Sequence, residues 1–193
     1  MGSPSWASRL LTRRSAPALT ILLALFIVVL TLMGRTFFGN PGFGIWTWAP
    51  ASPATSQLLG DPYSFSHLLH GIIFFAILWL FRKRISAGWR LLIATVIEMG
   101  WEILENTPLI IDRYRAGTAS LDYYGDSIWN SLGDVGFMLL GFWLTWKLGW
   151  KWSVLIVIAI ELIMLFLMRD NLTLNVLMLV YPVQAIKDWQ LAP

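Results

Sequence analysis

Long apolar runs alternate with short polar or Gly/Pro-rich segments along most of this chain. The five longest runs cover residues 18–35, 66–82, 90–109, 126–147 and 152–168. A helix needs about 20 mostly apolar residues to cross the hydrocarbon core of a bilayer. The pattern therefore predicts an all-α protein, a polytopic membrane helix bundle of about five transmembrane helices.

The segments between and after these runs set the predicted boundaries. A basic segment, residues 1–17, precedes the first run, which we interpret as a retained anchor because it is longer than the core of a signal peptide and has no clear cleavage site. The third run ends at "NTP", since Pro108 lacks a backbone donor and disfavours helix just before it. Residues 18–170 thus form the predicted bundle. In residues 171–193, "LTLNVLMLVYP" is short for a span and predicts either an interfacial half-helix or a tilted sixth span.

Composition supports this class of protein. Of the 193 residues, 57% are hydrophobic and 13% are charged, and the 12 Trp and 5 Tyr suit a protein with two membrane interfaces. The chain has no cysteine, so any metal would be bound by nitrogen and oxygen ligands. We expect a membrane lipid or a lipid-linked molecule as the partner, and no nucleic acid; the pattern predicts no oligomeric state.

The distribution of charge predicts an orientation. If the N-terminus is cytoplasmic, nine of the 14 basic residues fall on the cytoplasmic side, as the positive-inside rule requires. These are Arg9, Arg13, Arg14, Arg82, Lys83, Arg84, Arg90, Lys147 and Lys151. The acidic residues fall in outer segments or within the spans. This asymmetry predicts that the functional site faces the extracytoplasmic side.

Polar side chains recur at helical spacing on three predicted spans. His67 and His70 are on the second span, Glu98, Glu102 and Glu105 on the third, and Asp126, Asn130 and Asp134 on the fourth. Spacings of three and four residues put the members of each set on one helix face. Because ionised side chains facing lipid are costly, we predict that these faces meet in a polar cavity and that all eight residues are catalytic candidates.

Other polar and small residues have simpler interpretations. Glu161, alone on the fifth span, is either functional or a protonated group hydrogen-bonded to backbone or a neighbouring helix. Gly133, Gly136 and Gly141 have the spacing of residues that allow close helix contact.

The predicted loop between the third and fourth spans lies at the mouth of this cavity. It contains four candidate substrate-binding residues, Arg113, Arg115, Tyr123 and Tyr124. The guanidinium groups suit a phosphate headgroup, although they also suit a solvated loop.

These residues carry a family resemblance. The outer-end His67 or His70, "EILE" from Glu102 to Glu105, Arg113 or Arg115, and "DSIWNSLG" from Asp126 together resemble the VanZ-like group of small bacterial membrane proteins. Glu105 stands where that group usually has Gln, and Glu98 and Asp134 are additional acids, so this site is more acidic. Residues 61–142 resemble more closely an uncharacterised proteobacterial inner-membrane family, known only as a domain of unknown function. The resemblance implies a multi-pass protein of the bacterial inner membrane with an envelope-facing role.

Three functions from different classes fit the pattern. The first is an intramembrane hydrolase or transferase of envelope lipids, in which carboxylates and His70 exchange protons, or in which His67, His70 and Glu102 hold a divalent metal ion that activates water. The second is a proton- or cation-coupled transporter, although the cytoplasmic halves of the second and fourth spans are nearly free of polar side chains. The third is a non-catalytic protein that binds a lipid or a partner in the same cavity.

Overall fold

The computed structural model describes residues 15–49 and 52–192, and within them the regular structure is helical, apart from one isolated β-bridge between Trp46 and Gly60. The helices are α1 Ser15–Leu32, α2 Ser64–Trp79, α3 Ala87–Glu105, α4 Pro108–Gly117, α5 Ile128–Leu148, α6 Trp150–Met168, α7 Leu172–Val180 and α8 Gln184–Leu191. The all-α prediction is confirmed for this part of the chain. Most of the predicted basic segment, including Arg9, Arg13 and Arg14, lies outside the described residues.

Three helices form the centre of the fold. α2 packs along α5 with the most extensive contact in the described structure, α3 packs against both, α1 lies on α3 and α5, and α6 lies on α2 and α5. Glycine makes the α2–α5 contact close: a Cβ at Gly71 would overlap the carbonyl oxygen of Met138, and a Cβ at Gly141 would overlap that of Leu68. The predicted packing role is thus confirmed for Gly141. Gly133 lies instead against the loop residue Leu59, and Gly136 faces open space, so the prediction was wrong there.

One end of the central helices is an apolar core. Leu78 from α2, Leu91 and Ala94 from α3, and Met138 and Phe142 from α5 pack together and are buried. Branched, aromatic and sulfur-containing side chains fill this end without a titratable group among them. It therefore fixes the mutual position of α2, α3 and α5.

Within residues 15–49 and 52–192, two helices are long and apolar enough to cross a membrane. These are α1 and α6. Their most apolar 18-residue windows have mean hydropathies of 2.5 and 2.3, and 17% and 11% of the residues in these windows are buried. A core helix of a soluble protein would be mostly buried, so the low burial favours membrane association. The five predicted spans are not confirmed as a set. α2 has 16 residues, and α3 and α5, with 19 and 21, have lower hydropathy because they carry the polar residues of the site.

The segment between α3 and α5 differs from the predicted loop. Pro108 stops α3 as expected, but it also starts α4, because a proline at the first helical position loses no hydrogen bond. Asn106 joins the two helices, with its side-chain amide donating to the carbonyl of Glu102 at 3.0 Å. The loop proper is therefore confined to residues 118–127.

The C-terminal residues fold back over α4 as two short helices. α7 has nine residues, which at 1.5 Å per residue is about 14 Å and roughly half of a bilayer core. Glu161 accepts hydrogen bonds from the backbone N–H groups of Leu172 and Thr173 at 3.0 and 3.2 Å and so caps α7. This contact matches the structural interpretation of Glu161.

Candidate functional site

The end of the bundle opposite the apolar core collects the polar side chains of α2, α3 and α5. Each set occupies one helix face, as the spacing predicts, and the three faces meet. Glu98, Glu102, Asn130 and Asp134 are buried there, together with His67, while His70 and Glu105 are partly exposed. Asp126 lies just before α5 rather than within it.

His67 is the centre of this cluster. Its Nδ1 lies 2.6 Å from Glu98 Oε1 and 3.3 Å from Glu102 Oε1, and its Nε2 lies 3.9 Å from Asp134 Oδ2. His67 is buried, with 7% of the residue exposed. One imidazole is therefore surrounded by three carboxylates from two other helices, an arrangement suited to proton exchange.

Glu98 links the two histidines. His70 Nδ1 lies 3.1 Å from Glu98 Oε2, so each oxygen of this buried carboxylate meets an imidazole nitrogen. The ring of His70 stacks on Phe74 with centroids 5.7 Å apart. These contacts hold both rings in place and satisfy Glu98 completely.

Glu102 differs sharply from Glu98. It is 1% exposed, and neither of its carboxylate oxygens has a hydrogen-bond partner. A buried carboxylate without donors costs several kcal/mol in free energy unless it is protonated, paired or bound to a cation. Among the described residues, the imidazole of His67, at 3.3 Å, is the group of opposite charge within 4 Å of it, and the carboxylate of Glu105 lies within 4.8 Å.

Asp134 in α5 and Asp126 in the segment before α5 are held in place by hydrogen bonds. Ser64 Oγ donates to Asp134 Oδ1 at 2.6 Å. Asp126 accepts from the Tyr123 hydroxyl at 2.8 Å and from Asn106 Nδ2 at 3.0 Å. These bonds keep both carboxylates aimed at the same space.

Asn130 has a structural partner. Its Nδ2 donates to the carbonyl oxygen of Leu58 at 2.7 Å, which ties α5 to the loop of residues 33–63. Ser127 caps the same helix by accepting from the N–H of Asn130 at 3.1 Å. The loop thereby covers the start of α5.

A cavity of about 900 Å³ opens beside this cluster. His67, His70 and Glu105 line it, as do Asp126, Asn130 and Asp134. Its wall also contains the loop of residues 33–63, the segment 119–126 and parts of α7 and α8. The volume is in the range of small-molecule sites in proteins.

The four predicted substrate-binding residues are placed differently from one another. Tyr123 and Tyr124 line the cavity. Arg113 donates instead to the carbonyl oxygens of Leu179 and Val180 at the end of α7, at 2.7 and 2.9 Å. Arg115 stacks over the ring of Tyr124 at 4.9 Å, and neither guanidinium is among the lining groups.

Arg35 supplies a cation at the cavity that sequence reasoning missed. Its Nη1 donates to the carbonyl oxygen of Tyr124 at 2.6 Å, and its buried Nε has no hydrogen-bond partner. Arg35 follows the first apolar run, in "MGRTFFG", and the positive-inside rule counts it only as an outer charge. Its position directly after a span at the functional face is the signal that could have identified it.

Asp61 is a second residue that the pattern did not single out. It lies just before α2, is 2% exposed, and accepts from the N–H groups of Ser56 and Tyr63 at 2.7 and 2.8 Å. Burial raises the pKa of the Asp61 carboxyl, and these two hydrogen bonds oppose the shift. Its place in "GDPYS", a turn sequence, suggested a loop rather than a site.

Two sets of side chains have the arrangement of metal ligands. One is His67, His70 and Glu98, and the other is His67, Glu102 and Glu105; in each set the ligand atoms lie within 4.8 Å of one another. The predicted combination of His67, His70 and Glu102 is divided between them. Nitrogen and carboxylate oxygen are ligands for Zn²⁺, Mn²⁺ or Fe²⁺.

Comparison with known proteins identifies relatives along nearly the whole chain. A "UPF0314 protein" of Paracoccus denitrificans is 47% identical over 184 residues, covering 94% of this chain and 95% of the relative. A UPF0314 protein of Sphingopyxis alaskensis is 48% identical over 172 residues, 88% of this chain and 90% of the relative, and one of Rhizobium meliloti is 47% identical over 169 residues, 87% and 86%. No solved structure matches the chain significantly.

The family model described as "Protein of unknown function (DUF2585)" matches residues 30–192, which include every residue of the site. The predicted resemblance to an uncharacterised proteobacterial family is thereby confirmed, whereas the resemblance to VanZ-like proteins is not shown. This chain belongs to the DUF2585 family and is similar to UPF0314 proteins of proteobacteria.

Proposed function

We propose that this protein is an inner-membrane hydrolase or transferase that acts on a lipid or lipid-linked substrate of the cell envelope from the extracytoplasmic side. The observation that carries the proposal is the placement of His67 among Glu98, Glu102 and Asp134 beside a cavity of about 900 Å³. An imidazole within reach of several carboxylates can take a proton from an attacking hydroxyl and return it to a leaving group. A protein that only binds a ligand needs fewer groups of this kind.

The position of the cavity relative to the apolar helices supports a lipid substrate. α1 and α6 present exposed apolar surfaces, including Phe166 and Leu167, which are 82% and 71% exposed. Large exposed apolar patches are typical of surfaces that contact lipid or a partner. A lipid could leave its chains among these helices while its headgroup enters the cavity.

The orientation of the site follows from the charges. The basic turn after α2, with Arg82, Lys83 and Arg84, lies at the opposite end of α2 from His67. By the positive-inside rule that turn is cytoplasmic, so the cavity faces outward. Envelope precursors are accessible from this side.

Arg35 is the proposed anchor for the headgroup. The Arg35 side chain lines the cavity, its buried Nε has no hydrogen-bond partner, and a guanidinium matches the geometry of phosphate oxygens. Tyr123 and Tyr124 line the same wall and could bind the polar part of the substrate. We place Arg113 and Arg115 outside the binding site, since Arg113 is engaged by α7.

The test compares envelope lipids of cells that carry the wild type, Glu102→Gln, Asp112→Asn or no protein, by mass spectrometry of lipid extracts. Asp112 is the matched control because its side chain is 75% exposed and it does not line the cavity. We expect the null strain to accumulate or lack one lipid, Glu102→Gln to match the null strain, and Asp112→Asn to match the wild type. Membrane levels of each variant are measured in the same cells.

Identical lipid profiles in all four strains would overturn the proposal. A lipid that binds to the purified protein, with unchanged lipid profiles, would identify a non-catalytic binding protein. A pH-dependent ion flux into vesicles, abolished by Glu102→Gln, would identify a transporter.

A further inference from the structure

We propose that His67, Glu102 and Glu105 bind one divalent metal ion on the wall of the cavity. The binding of the ion stands on the geometry of these side chains, and only its role in catalysis rests on the proposed function. The site would give the cavity its reactive centre.

The distances bring three ligand atoms together from two helices. One ring nitrogen of His67 and one oxygen each from Glu102 and Glu105 lie within 4.8 Å of one another. Bonds of about 2.0–2.2 Å to a common ion require ligand separations of roughly 3–4 Å. Small side-chain rotations therefore close the site, and Glu105, which lines the cavity, leaves room for water on the open side.

The unsatisfied carboxylate of Glu102 is an independent observation that points to a ligand. Both oxygens are buried without a hydrogen-bond partner, in a residue that is 1% exposed. Glu98 is one helical turn away on the same face and is satisfied by two histidines. A bound cation would give Glu102 the partner that Glu98 already has.

Glu98 acts as a positioning residue in this arrangement. A histidine that binds a metal through one nitrogen commonly donates its other N–H to a carboxylate. Glu98 Oε1, at 2.6 Å from Nδ1, can accept that proton, which leaves the lone pair on Nε2 for the ion. Glu102 Oε1 lies 3.3 Å from Nδ1, so its carboxylate must rotate toward the Nε2 side of the ring to reach the ion. Asp134 Oδ2, at 3.9 Å from Nε2, is the candidate fourth ligand.

The other set of candidate ligands is less suited to binding an ion. His67, His70 and Glu98 already contact one another at 2.6 and 3.1 Å, so a cation would have to replace existing bonds. His70 is therefore assigned to the support of Glu98, and its replacement should weaken metal binding only slightly.

The ligand chemistry selects the probe ions. One imidazole nitrogen with two or three carboxylate oxygens suits Zn²⁺ and Mn²⁺, and the chain has no cysteine to favour softer ions. In the proposed reaction, the ion would lower the pKa of a water molecule, a neighbouring carboxylate would take its proton, the water oxygen would bond to the reacting atom of the substrate as the bond to the leaving group breaks, and the leaving group would take up that proton.

Metal analysis of the full-length protein tests the proposal. We would purify the wild type, Glu102→Gln, Glu105→Gln, His70→Gln and Asp112→Asn in detergent, remove metal with a chelator, add Zn²⁺ or Mn²⁺, and measure binding by titration calorimetry and mass spectrometry. The expected result is about one ion per chain for the wild type, His70→Gln and Asp112→Asn, and at least tenfold weaker binding for the two glutamate variants. Binding by Glu102→Gln equal to that of the wild type would overturn the assignment.

A second measurement does not depend on whether the two glutamate variants fold. The chain has two histidines, so a sample labelled with ¹⁵N-histidine gives signals from two rings. Zn²⁺ should shift the Nε2 signal of one ring to the range of a metal-bound nitrogen and leave the other ring nearly unchanged, and His70→Gln identifies which ring responds. No shift on addition of excess Zn²⁺ or Mn²⁺ would overturn the proposal.

The two proposals fail in different ways. A change in lipids that depends on Glu102, in a protein that binds neither ion, would retain the enzyme and remove the metal centre. Binding of one ion per chain with unchanged lipids would retain the metal centre and remove the proposed reaction.

Discussion

The three central helices are built differently at their two ends. At one end, Leu78, Ala94 and Phe142 form an apolar cluster; at the other, His67 and Glu102 are buried beside a cavity of about 900 Å³. The first end is held by apolar contacts, with the guanidinium of Arg90 over the ring of Phe75 at its edge, whereas the second buries both carboxylate oxygens of Glu102 without a hydrogen-bond partner. Proteins accept such a cost chiefly where the group has a function.

This contrast predicts opposite responses to substitution. Changes at the apolar end should reduce stability and leave the chemistry of the folded protein intact. Changes at the polar end should abolish the chemistry, and those that remove a buried group without a partner should cost little stability or increase it.

The largest effect on stability is expected for Phe142→Ala. Phe142 is 1% exposed and packs edge-to-face on Phe75 at 5.0 Å, so its removal leaves a cavity and should lower the free energy of unfolding by about 3–5 kcal/mol. Phe166→Ala is the matched control because Phe166 is 82% exposed, and its unfolding should be nearly unchanged. Thermal unfolding in detergent measures both, and the lipid profile per folded molecule should remain that of the wild type. Equal destabilisation by the two variants would contradict the assignment of the core.

Gly71→Ala should lower the free energy of unfolding by about 1–3 kcal/mol. Its new Cβ would overlap the carbonyl oxygen of Met138, a backbone atom that cannot rotate away, so α2 and α5 must separate. Gly136→Ala is the control, since nothing lies within 4 Å of its Cβ and alanine favours helix. We expect Gly136→Ala to be neutral or stabilising. A neutral Gly71→Ala would show that the helices can move apart freely.

Glu102→Met should change the free energy of unfolding in the opposite direction. In metal-free protein, the replacement of a buried carboxylate without donors by an apolar side chain of similar size should raise the free energy of unfolding by about 1–2 kcal/mol. Glu98→Met is the comparison, because it removes hydrogen bonds to His67 and His70 and should be destabilising. Unfolding curves recorded with a chelator measure the difference. Destabilisation of the same size in both variants would remove the distinction between the two glutamates.

The grouping of the candidate site residues on three helix faces could be predicted because helical spacing is local information. Glu98, Glu102 and Glu105 share a face whatever α3 packs against, and Pro108 limits the helix on its own. The cost of charge in an apolar run then indicates that these faces point inward.

The remaining features depend on tertiary contacts that spacing does not specify. His67 and His70 are equivalent in sequence, and only the crossing of α2 with α3 and α5 makes His67 the central residue. Arg113 was predicted to face a substrate, but its partners are carbonyl groups 66 and 67 residues further along the chain. Arg35 and Asp61 come from loops, where no periodicity indicates direction.

The last prediction concerns the dependence of stability on pH at the rim of the cavity, where Asp170 is one of the lining residues. Burial raises the pKa of Asp170 from 3.8 to about 6, opposed by a hydrogen bond from the N–H of Asn171. The folded state therefore keeps a proton that the unfolded state releases, and the contribution of Asp170 to stability is present below pH 3.8 and is lost as the pH rises to about 6. Asp170→Asn retains the acceptor for Asn171 and removes this titration, so its unfolding temperature should rise relative to that of the wild type across the same interval, by about 2–4 °C for each kcal/mol that the titration contributes. The difference between the two proteins, measured by thermal unfolding from pH 4 to 7, isolates Asp170 from the other acids. Parallel curves would show that the polar end includes the titratable groups of α2, α3 and α5 but does not extend to the rim.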